Sequence, residues 1–381
     1  MNKYKILFLT LKVFSATGGI EKMCRIIGKV LYDAGKSIQI YSMYDNRRQV
    51  NTKYFPINIF KGFNKNKISF VLNSIIKGRK AQLIILSHVN LLIVGFIIKK
   101  IYPKTKLILL AHGIEIWNSF PHWKNKMLQE CDYIIAVSEF TKNKVVQVHR
   151  FPEKYCIVMN NSLDPFLKKP IEGEKPEVLL QKYGLQKSDI IVMSVSRLSA
   201  NERAKGYDKV ITALASIIIE YPEIKYLLIG EYDDSEKKRL EKLIMGESMN
   251  NAIKCIGFVD ESELAEHYKL ADIFIMPSKK EGFGIAFIEA MYYRLPVIAG
   301  YKDGSRDALC NGELGLLINP DSQSEIINAI KKVINNRENF LPNQSWLMNK
   351  FSYQRYSDKW DNLLRTIYEK NRLFENSGIK I

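Results

Sequence analysis

The chain of 381 residues lacks most of the signatures by which small functional sites announce themselves. Its five cysteines, Cys24, Cys131, Cys156, Cys255 and Cys310, lie far apart with no C-x-x-C pair. That excludes a zinc cluster and a disulfide framework and suits a reducing cytosol. There is no G-x-G-x-x-G, so a dinucleotide cofactor has no fingerprint, and no G-x-x-x-x-G-K-[ST], so a P-loop nucleotidase is excluded by motif. No D-x-D triplet offers carboxylates to a magnesium or manganese diphosphate, and no pair of histidines has metal-ligand spacing. The most apolar stretch, Leu91–Ile98, stops at Lys99 and Lys100, well short of the about 20 residues a membrane span needs. The opening run MNKYKILFLTLKVFS has Lys12 inside it and no small-residue cleavage site, so it is expected to be a buried strand and not a signal peptide.

Acidic residues are the most unevenly missing. None occurs between Asp45 and Glu115, and residues 1–175 hold 29 Lys/Arg against 11 Asp/Glu, whereas residues 176–381 hold 28 against 29. The net charge of +17 therefore resides in the first half, which should attract a polyanion or an anionic membrane surface. With no RNA-recognition signature, zinc finger or aromatic–basic platform, nucleic acid is not the expected partner. Within this half, Lys61–Lys80 sets Ile68, Leu72, Ile75 and Ile76 at helical spacing between Lys65, Lys67, Lys77, Arg79 and Lys80. Two readings stand: a basic amphipathic helix at a membrane interface, or an ordinary helix on a sheet with a solvated lysine face.

What is present is the composition of a folded protein, 46% hydrophobic and 25% charged, long enough for two domains. Short β-branched runs alternate with amphipathic stretches. Strands are predicted at Lys5–Leu11, Ser37–Tyr41, Leu83–Leu86, Lys106–Ala111, Tyr133–Val137 and Tyr155–Val158. In the second half they are predicted at Ile190–Val195, Lys225–Ile229, Ile253–Ile256, Ile273–Met276, Pro296–Ala299 and Gly315–Ile318. Helices are predicted at Glu21–Asp33, Tyr207–Glu220, Glu236–Met245, Glu261–Tyr268, Gly284–Tyr293 and Glu325–Asn335, with a helical tail over Tyr353–Phe374. The alternation means two α/β, doubly wound parallel sheets covered by helices. Pro165, Pro170, Gly173 and Pro176 mark the join. The expected domains are 1–165 with 355–381, and 166–354.

Ligands of such sheets bind where strands end and helices begin, and four segments fall there. Pro277–Gly284 (PSKKEGFG) joins a buried strand to a helix, with Glu281 in the loop and Glu289 inside the helix. Free N–H groups at Gly284, Ile285 and Ala286 would attract phosphate, and a carboxylate suits paired sugar hydroxyls. The plain alternative is a capped helix with Glu281 favouring its dipole. Arg197, after the strand Ile190–Val195, and Lys205, before Gly206 and a helix, could together neutralise a diphosphate, or be two solvated charges. Gly18 and Gly19 allow backbone to approach a ligand before the first helix. His112, before Gly113 at a strand end, would face the ligand, with His88 a lesser candidate. His122, His149 and His267 are not so placed.

Taken together, E-G-F-G-I-A-F-I-E over 281–289, the Arg197…Lys205-Gly206 pair, Gly18-Gly19-Ile20-Glu21 and His112-Gly113-x-Glu115 resemble the family-four retaining glycosyltransferases of the GT-B fold, in the family's order along nearly the whole chain. The resemblance implies two Rossmann-like domains facing across a cleft, with the final helices crossing back to the first. It implies a nucleotide-sugar donor on the second domain: Arg197 and Lys205 on the diphosphate, Glu289 on the ribose, and Glu281 on donor-sugar hydroxyls. The amides of Phe283, Gly284, Ile285 and Ala286 would touch sugar and phosphate, and Gly257–Val259 the base. Gly19 would close on the phosphates, and His112 would orient the sugar near its anomeric carbon. The implied chemistry is hexosyl transfer from a UDP- or GDP-sugar to a hydroxyl of a lipid-linked saccharide or polysaccharide precursor, with retention and with neither metal nor cofactor. It would take place at the cytoplasmic face of a membrane. An inactive nucleotide-sugar-binding protein and a GT-B-like epimerase are the alternatives. Two stretches depart from the pattern: Asn161-Ser162-Leu163-Asp164 stands for the usual Asn-Gly-x-Asp, and Gly300–Ser305 for the usual Gly-Gly-x-Pro-Glu.

Overall fold

The computed structural model describes residues 5–171, 173–200 and 202–376, the side chains of 369–376 excepted. It divides into two units, Met1–Pro165 with Lys350–Ile381, and Phe166–Asn349. The return to the first unit comes at Lys350 rather than at 355 because Phe351 is itself buried and its carbonyl accepts the Leu163 N–H at 2.8 Å.

The first unit holds seven strands: β1 (Lys5–Thr10), β2 (Ser37–Ser42), β3 (Phe60–Gly62), β4 (Leu83–Leu86), β5 (Lys106–Ala111), β6 (Tyr133–Ala136) and β7 (Cys156–Val158). They pair in the order β3-β2-β1-β4-β5-β6-β7, all parallel. Runs such as Leu83–Leu86 are buried at every position, the pattern of a strand covered on both faces by crossover helices. The Gly19–Asp33 helix covers one face. The tail helix Tyr353–Asn376 packs on it, with Trp360 fully buried, Tyr353 Oη donating to Asp33 at 2.7 Å and Lys36 bonded to Asp361 at 2.8 Å.

The second unit repeats the plan with β8 (Ile190–Val195), β9 (Ile224–Ile229), β10 (Ile253–Gly257), β11 (Ile273–Met276), β12 (Val297–Gly300) and β13 (Leu316–Ile318), ordered β10-β9-β8-β11-β12-β13 and all parallel. Each sheet grows outward one way, returns to its centre and grows the other way. The turning points lie between β1 and β4 and between β8 and β11. Crossovers leave to opposite faces there, which opens a crevice at the carboxyl ends of those strands.

Several boundaries differ from expectation. The sequence reading has no strand at Phe60–Gly62, a three-residue edge whose Phe60 sits opposite Ile40. The helix expected within Lys61–Lys80 starts only at Lys67, after Asn66 caps it by accepting the Ser69 N–H. The helix from Tyr207 ends at Ala215, and single turns carry the chain on toward Pro222. Gly284 is a cap with φ +90° and not the first residue of its helix, which runs Ile285–Tyr292.

Candidate active site

At the turning point of the second sheet, the loop after β11 carries Glu281, and its backbone is held by the loop after β12. The Glu281 N–H donates to Asp303 Oδ2 at 2.7 Å and the Glu281 carbonyl accepts the Gly304 N–H at 2.8 Å. Asp303 Oδ1 also accepts the Ser305 N–H at 2.9 Å, and its side chain is fully buried. Burial raises the Asp303 carboxyl to about 6, with the Ser305 hydrogen bonds pulling the other way. A Cβ at residue 304 would lie 2.0 Å from the Gly282 carbonyl oxygen, so only glycine lets the two loops touch.

Lys205 reaches this loop from β8. The Lys279 N–H donates to the Ala204 carbonyl at 2.8 Å, and Gly206, at φ +81°, brings the turn so close to Pro277 that a Cβ would meet its carbonyl at 2.5 Å. Lys205 Nζ then lies 2.5 Å from Glu281 Oε2, with both side chains less than a fifth exposed. Burial works to lower the ammonium's pKa, but the Glu281 carboxylate outweighs it and holds the group above its usual value. Behind the turn, fully buried Glu236 takes hydrogen bonds from Arg203, Arg239 and Tyr207. Arg197 is placed differently: its side chain is 77% exposed and pairs with Glu202 at 2.9 Å. The structure thus joins Lys205 to Glu281 and gives Arg197 its own carboxylate.

The helix Ile285–Tyr292 leaves from Gly284 with no side chain capping its amino end and no acidic residue in its first turn. The N–H groups of Ile285 and Ala286 belong to that first turn, where the peptide dipoles add to a partial positive charge. Phe283 is buried, main chain and ring together, so the amides of this turn nearest solvent are those of Ile285 and Ala286. Glu289 is only 3% exposed and accepts a hydrogen bond from Tyr268 Oη at 3.3 Å. Tyr268 in turn stacks on Tyr293 at 5.1 Å between ring centroids. The glutamate expected on the ribose therefore lies against a tyrosine pair, and its neighbourhood drives the Tyr268 hydroxyl far above its usual pKa, through burial first and the carboxylate second.

In the first unit Gly18 is the amino cap of the Gly19–Asp33 helix, with ordinary extended backbone, and the Glu21 carboxylate sits 2.5 Å from where its Cβ would be. The loop leading to it is organised by Asp45. This fully buried carboxylate accepts N–H groups from Val13 at 2.6 Å, Phe14 at 3.2 Å and Ser15 at 2.7 Å, and the Ser42 hydroxyl at 2.5 Å. Asp45→Ala would strand all four donors. We expect a stability loss of about 3 kcal/mol in urea unfolding, and unchanged stability would remove Asp45 as the organiser of this loop.

His112 follows β5. Its Nε2 donates to the Ser87 carbonyl at 3.0 Å, which leaves Nδ1 with the lone pair. Burial lowers its pKa to about 4, so the ring is neutral near pH 7 and offers an acceptor. Glu115 Oε1 receives the N–H groups of His112 at 2.6 Å and Gly113 at 3.2 Å. His88, after β4, caps the next turn through Nδ1, which accepts the Asn90 N–H at 3.1 Å.

Two family comparisons cover these sites. The family described as "Glycosyltransferase Family 4" matches residues 17–165, and "Glycosyl transferases group 1" matches residues 177–345. The chain belongs to the family-four glycosyltransferases. Among curated relatives it is similar to the alpha-monoglucosyldiacylglycerol synthase of Acholeplasma laidlawii, 25% identical over 56% of this chain and 52% of that protein. It is also similar to a GDP-mannose-dependent phosphatidylinositol monomannoside mannosyltransferase of Mycobacterium tuberculosis, 25% identical over 61% of this chain and 62% of that one. The matched stretches span little more than half the length of the first of these relatives. Among solved structures, Anabaena HepE in complex with UDP and glucose aligns with a TM-score of 0.79 at 20% identity, over 95% of this chain and 100% of that one. Sucrose-phosphate synthase from Thermosynechococcus elongatus aligns at 0.78 and 18%, over 97% and 100%. These likenesses, with the seven- and six-stranded parallel sheets, make the fold GT-B.

Asp45, Asp303 and the capping role of Glu115 escape the sequence reading of this family-four chain. Asp45 is the last acid before the acid-free stretch and Asp303 stands inside the loop that departs from Gly-Gly-x-Pro-Glu. Each is a lone carboxylate where its neighbours offer none, which is the signal that was available.

Proposed function

We propose that the chain is a retaining hexosyltransferase that moves a sugar from a UDP- or GDP-sugar to a hydroxyl of a lipid-linked saccharide or polysaccharide precursor, without a metal ion. The observation that carries the reading is the Lys205–Glu281 pair beside the uncapped first turn at Ile285 and Ala286. A diphosphate oxygen placed there would take over the Lys205 ammonium and the free N–H groups, with Arg197 swinging from solvent to the second phosphate. Glu281, released from the lysine, would accept hydrogen bonds from donor-sugar hydroxyls. In the reaction the bond from the anomeric carbon to the diphosphate breaks, the bond to the acceptor oxygen forms on the same face, and the acceptor proton leaves with the departing phosphate. Once the donor is bound and these groups have turned to it, charge growing on the diphosphate is met by cations and dipoles held at the leaving group, which lowers the barrier to the chemical step. Glu289 would serve the ribose once Tyr268 yields its hydrogen bond, Gly19 would approach the phosphates, and neutral His112 would accept from the donor sugar through Nδ1.

The curated relatives whose names specify diacylglycerol and phosphatidylinositol acceptors support a lipid-linked acceptor here. The basic first unit supports a place at the anionic cytoplasmic face of a membrane. No helix among the described residues is long and apolar enough to cross one.

The test is a panel of UDP- and GDP-sugars with lipid and saccharide acceptors, followed by product stereochemistry. Transfer with retention, undiminished by chelator, is expected. Inverted product, loss of turnover with chelator, or free epimerised sugar with no transfer would overturn the reading.

A further inference from the structure

The segment Lys61–Lys80 has a role that sugar transfer leaves unexplained. In the Lys67–Gly78 helix the buried residues are Phe70, Ser74 and Gly78. They fix it to the unit: Phe70 is fully buried, and a Cβ at Gly78 would lie 2.7 Å from Ile98 of the Leu92–Ile101 helix. Ile68, Leu72 and Ile76 each stand two residues away from one of these, about 200° round the helix, and are 75%, 55% and 72% exposed. A helix that needed only to cover the sheet would turn lysines outward here. This one turns a row of branched aliphatic side chains outward, four residues apart, on the side opposite its core contact. A single exposed apolar residue is unremarkable, whereas a continuous stripe marks an interaction surface.

The charges around the stripe identify the partner. Lys65 and Lys67 stand at the amino end, where the helix dipole disfavours cations, and the first turn holds no acid. Arg79 and Lys80 follow the carboxyl end, both exposed. Among the described residues, none of these four has a carboxylate within ion-pair distance, and the sequence supplies no acid between Asp45 and Glu115. An apolar row bracketed by unneutralised cations complements a surface that is apolar beneath and anionic above.

We infer that the Lys67–Gly78 helix docks on a bilayer of anionic phospholipid, with Ile68, Leu72 and Ile76 below the headgroups and Lys65, Lys67, Arg79 and Lys80 on their phosphates. This deepens the lipid-acceptor reading, since it would bring the first unit to the plane where such an acceptor lies. Its test uses neither donor nor acceptor, so either proposal can fail alone.

The experiment is co-sedimentation of the full chain with vesicles of equimolar phosphatidylglycerol and phosphatidylcholine, or of phosphatidylcholine alone, at low and high salt. The wild-type chain should bind the anionic vesicles and be released by salt. The triple variant Ile68→Asn, Leu72→Asn, Ile76→Asn should bind about tenfold more weakly while melting at the wild-type temperature, because these side chains lie outside the core. Replacing Lys65, Lys67, Arg79 and Lys80 by Gln should weaken binding and flatten its salt dependence. As a readout that does not depend on loss, Leu72→Trp should add emission that shifts to the blue with anionic vesicles and is quenched by lipids brominated in the acyl chain. Wild-type binding by the triple variant, equal binding to both vesicle types, or an emission from the Leu72→Trp variant that does not shift would overturn the inference. So would a concentration-dependent dimer that the triple variant abolishes while vesicles are ignored, which would assign the stripe to a second copy of the chain. Stabilisation by UDP or GDP, measured on the same preparations, reports separately on the transferase reading.

Discussion

Lys205→Ala should turn over its nucleotide-sugar about 10³-fold more slowly than the wild-type chain, with most of the loss in kcat. The ammonium reaches into the loop that carries Glu281, at 2.5 Å from its carboxylate, and it stays charged because that carboxylate outweighs the cost of burial. Removing it takes away the charge that would meet the departing diphosphate and leaves Glu281 without its ion-pair partner. Arg197→Ala should cost much less, about tenfold, because a guanidinium that is 77% exposed is already screened by water and shared with Glu202. Glu281→Gln should fall between the two, since the amide keeps a hydrogen bond to a sugar hydroxyl but strands a largely buried lysine. Steady-state kinetics of the three variants check the order. Lys205→Ala within threefold of wild type would remove the lysine from the reaction.

Asp303→Asn should lower kcat about 10²-fold while leaving donor affinity nearly intact. Asp303 touches no place that a substrate would occupy; it positions Glu281 by accepting the Glu281 N–H on one oxygen and the Ser305 N–H on the other. An amide accepts on one side only and turns an NH₂ group toward a donor on the other. The same geometry gives a pH dependence with opposite signs for activity and stability. Protonation removes an acceptor, so activity should fall as pH drops through about 6. The folded-state pKa of about 6 lies above the usual 3.8, so between those values the native state binds a proton that the unfolded chain does not. The contribution of this group to stability therefore rises as pH falls from about 6 to about 4. Asp303→Asn should lose both dependences, as seen in pH–rate profiles and in melts at pH 5 and pH 7. An unchanged acid limb in the variant would assign that limb to another group.

The elements readable in the sequence were those whose burial is uniform along the chain. Leu83–Leu86, Lys106–Ala111, Ile190–Val195 and Ile273–Met276 are strands with the expected limits, because a run of branched residues between two covering layers has no other stable place. Phe60–Gly62 was not readable. A three-residue edge strand is stabilised by its neighbour β2, and FKG carries no pattern of its own. A φ of +90° at Gly284 is not legible in composition, and the end of the Tyr207 helix depends on the turns through Tyr221 that follow it.

Residue types and their places after strands mark Arg197, Lys205, Glu281 and Glu289 in the second unit, and Gly18, Gly19 and His112 in the first, as candidates, since ligand-binding groups of a parallel sheet gather at its carboxyl edge. Which of them touch was not readable. That Lys205 holds Glu281, that Arg197 holds Glu202, that Glu289 lies under Tyr268 and that Nδ1 of His112 carries the lone pair all depend on side-chain geometry that residue type and spacing leave open.

The sequence by itself determined two parallel α/β units, the places of all their strands but Phe60–Gly62, the family they belong to and the one-sided charge of the first half, because periodicity, motif and composition are local properties. The tertiary structure alone decided which carboxylate holds which cation, that Asp45 and Asp303 are the buried carboxylates on which two loops hang, and that Ile68, Leu72 and Ile76 face outward. A helical period fixes which side chains share a face, but only packing against the sheet and the Leu92–Ile101 helix decides which face is given to the core and which is left to meet a partner.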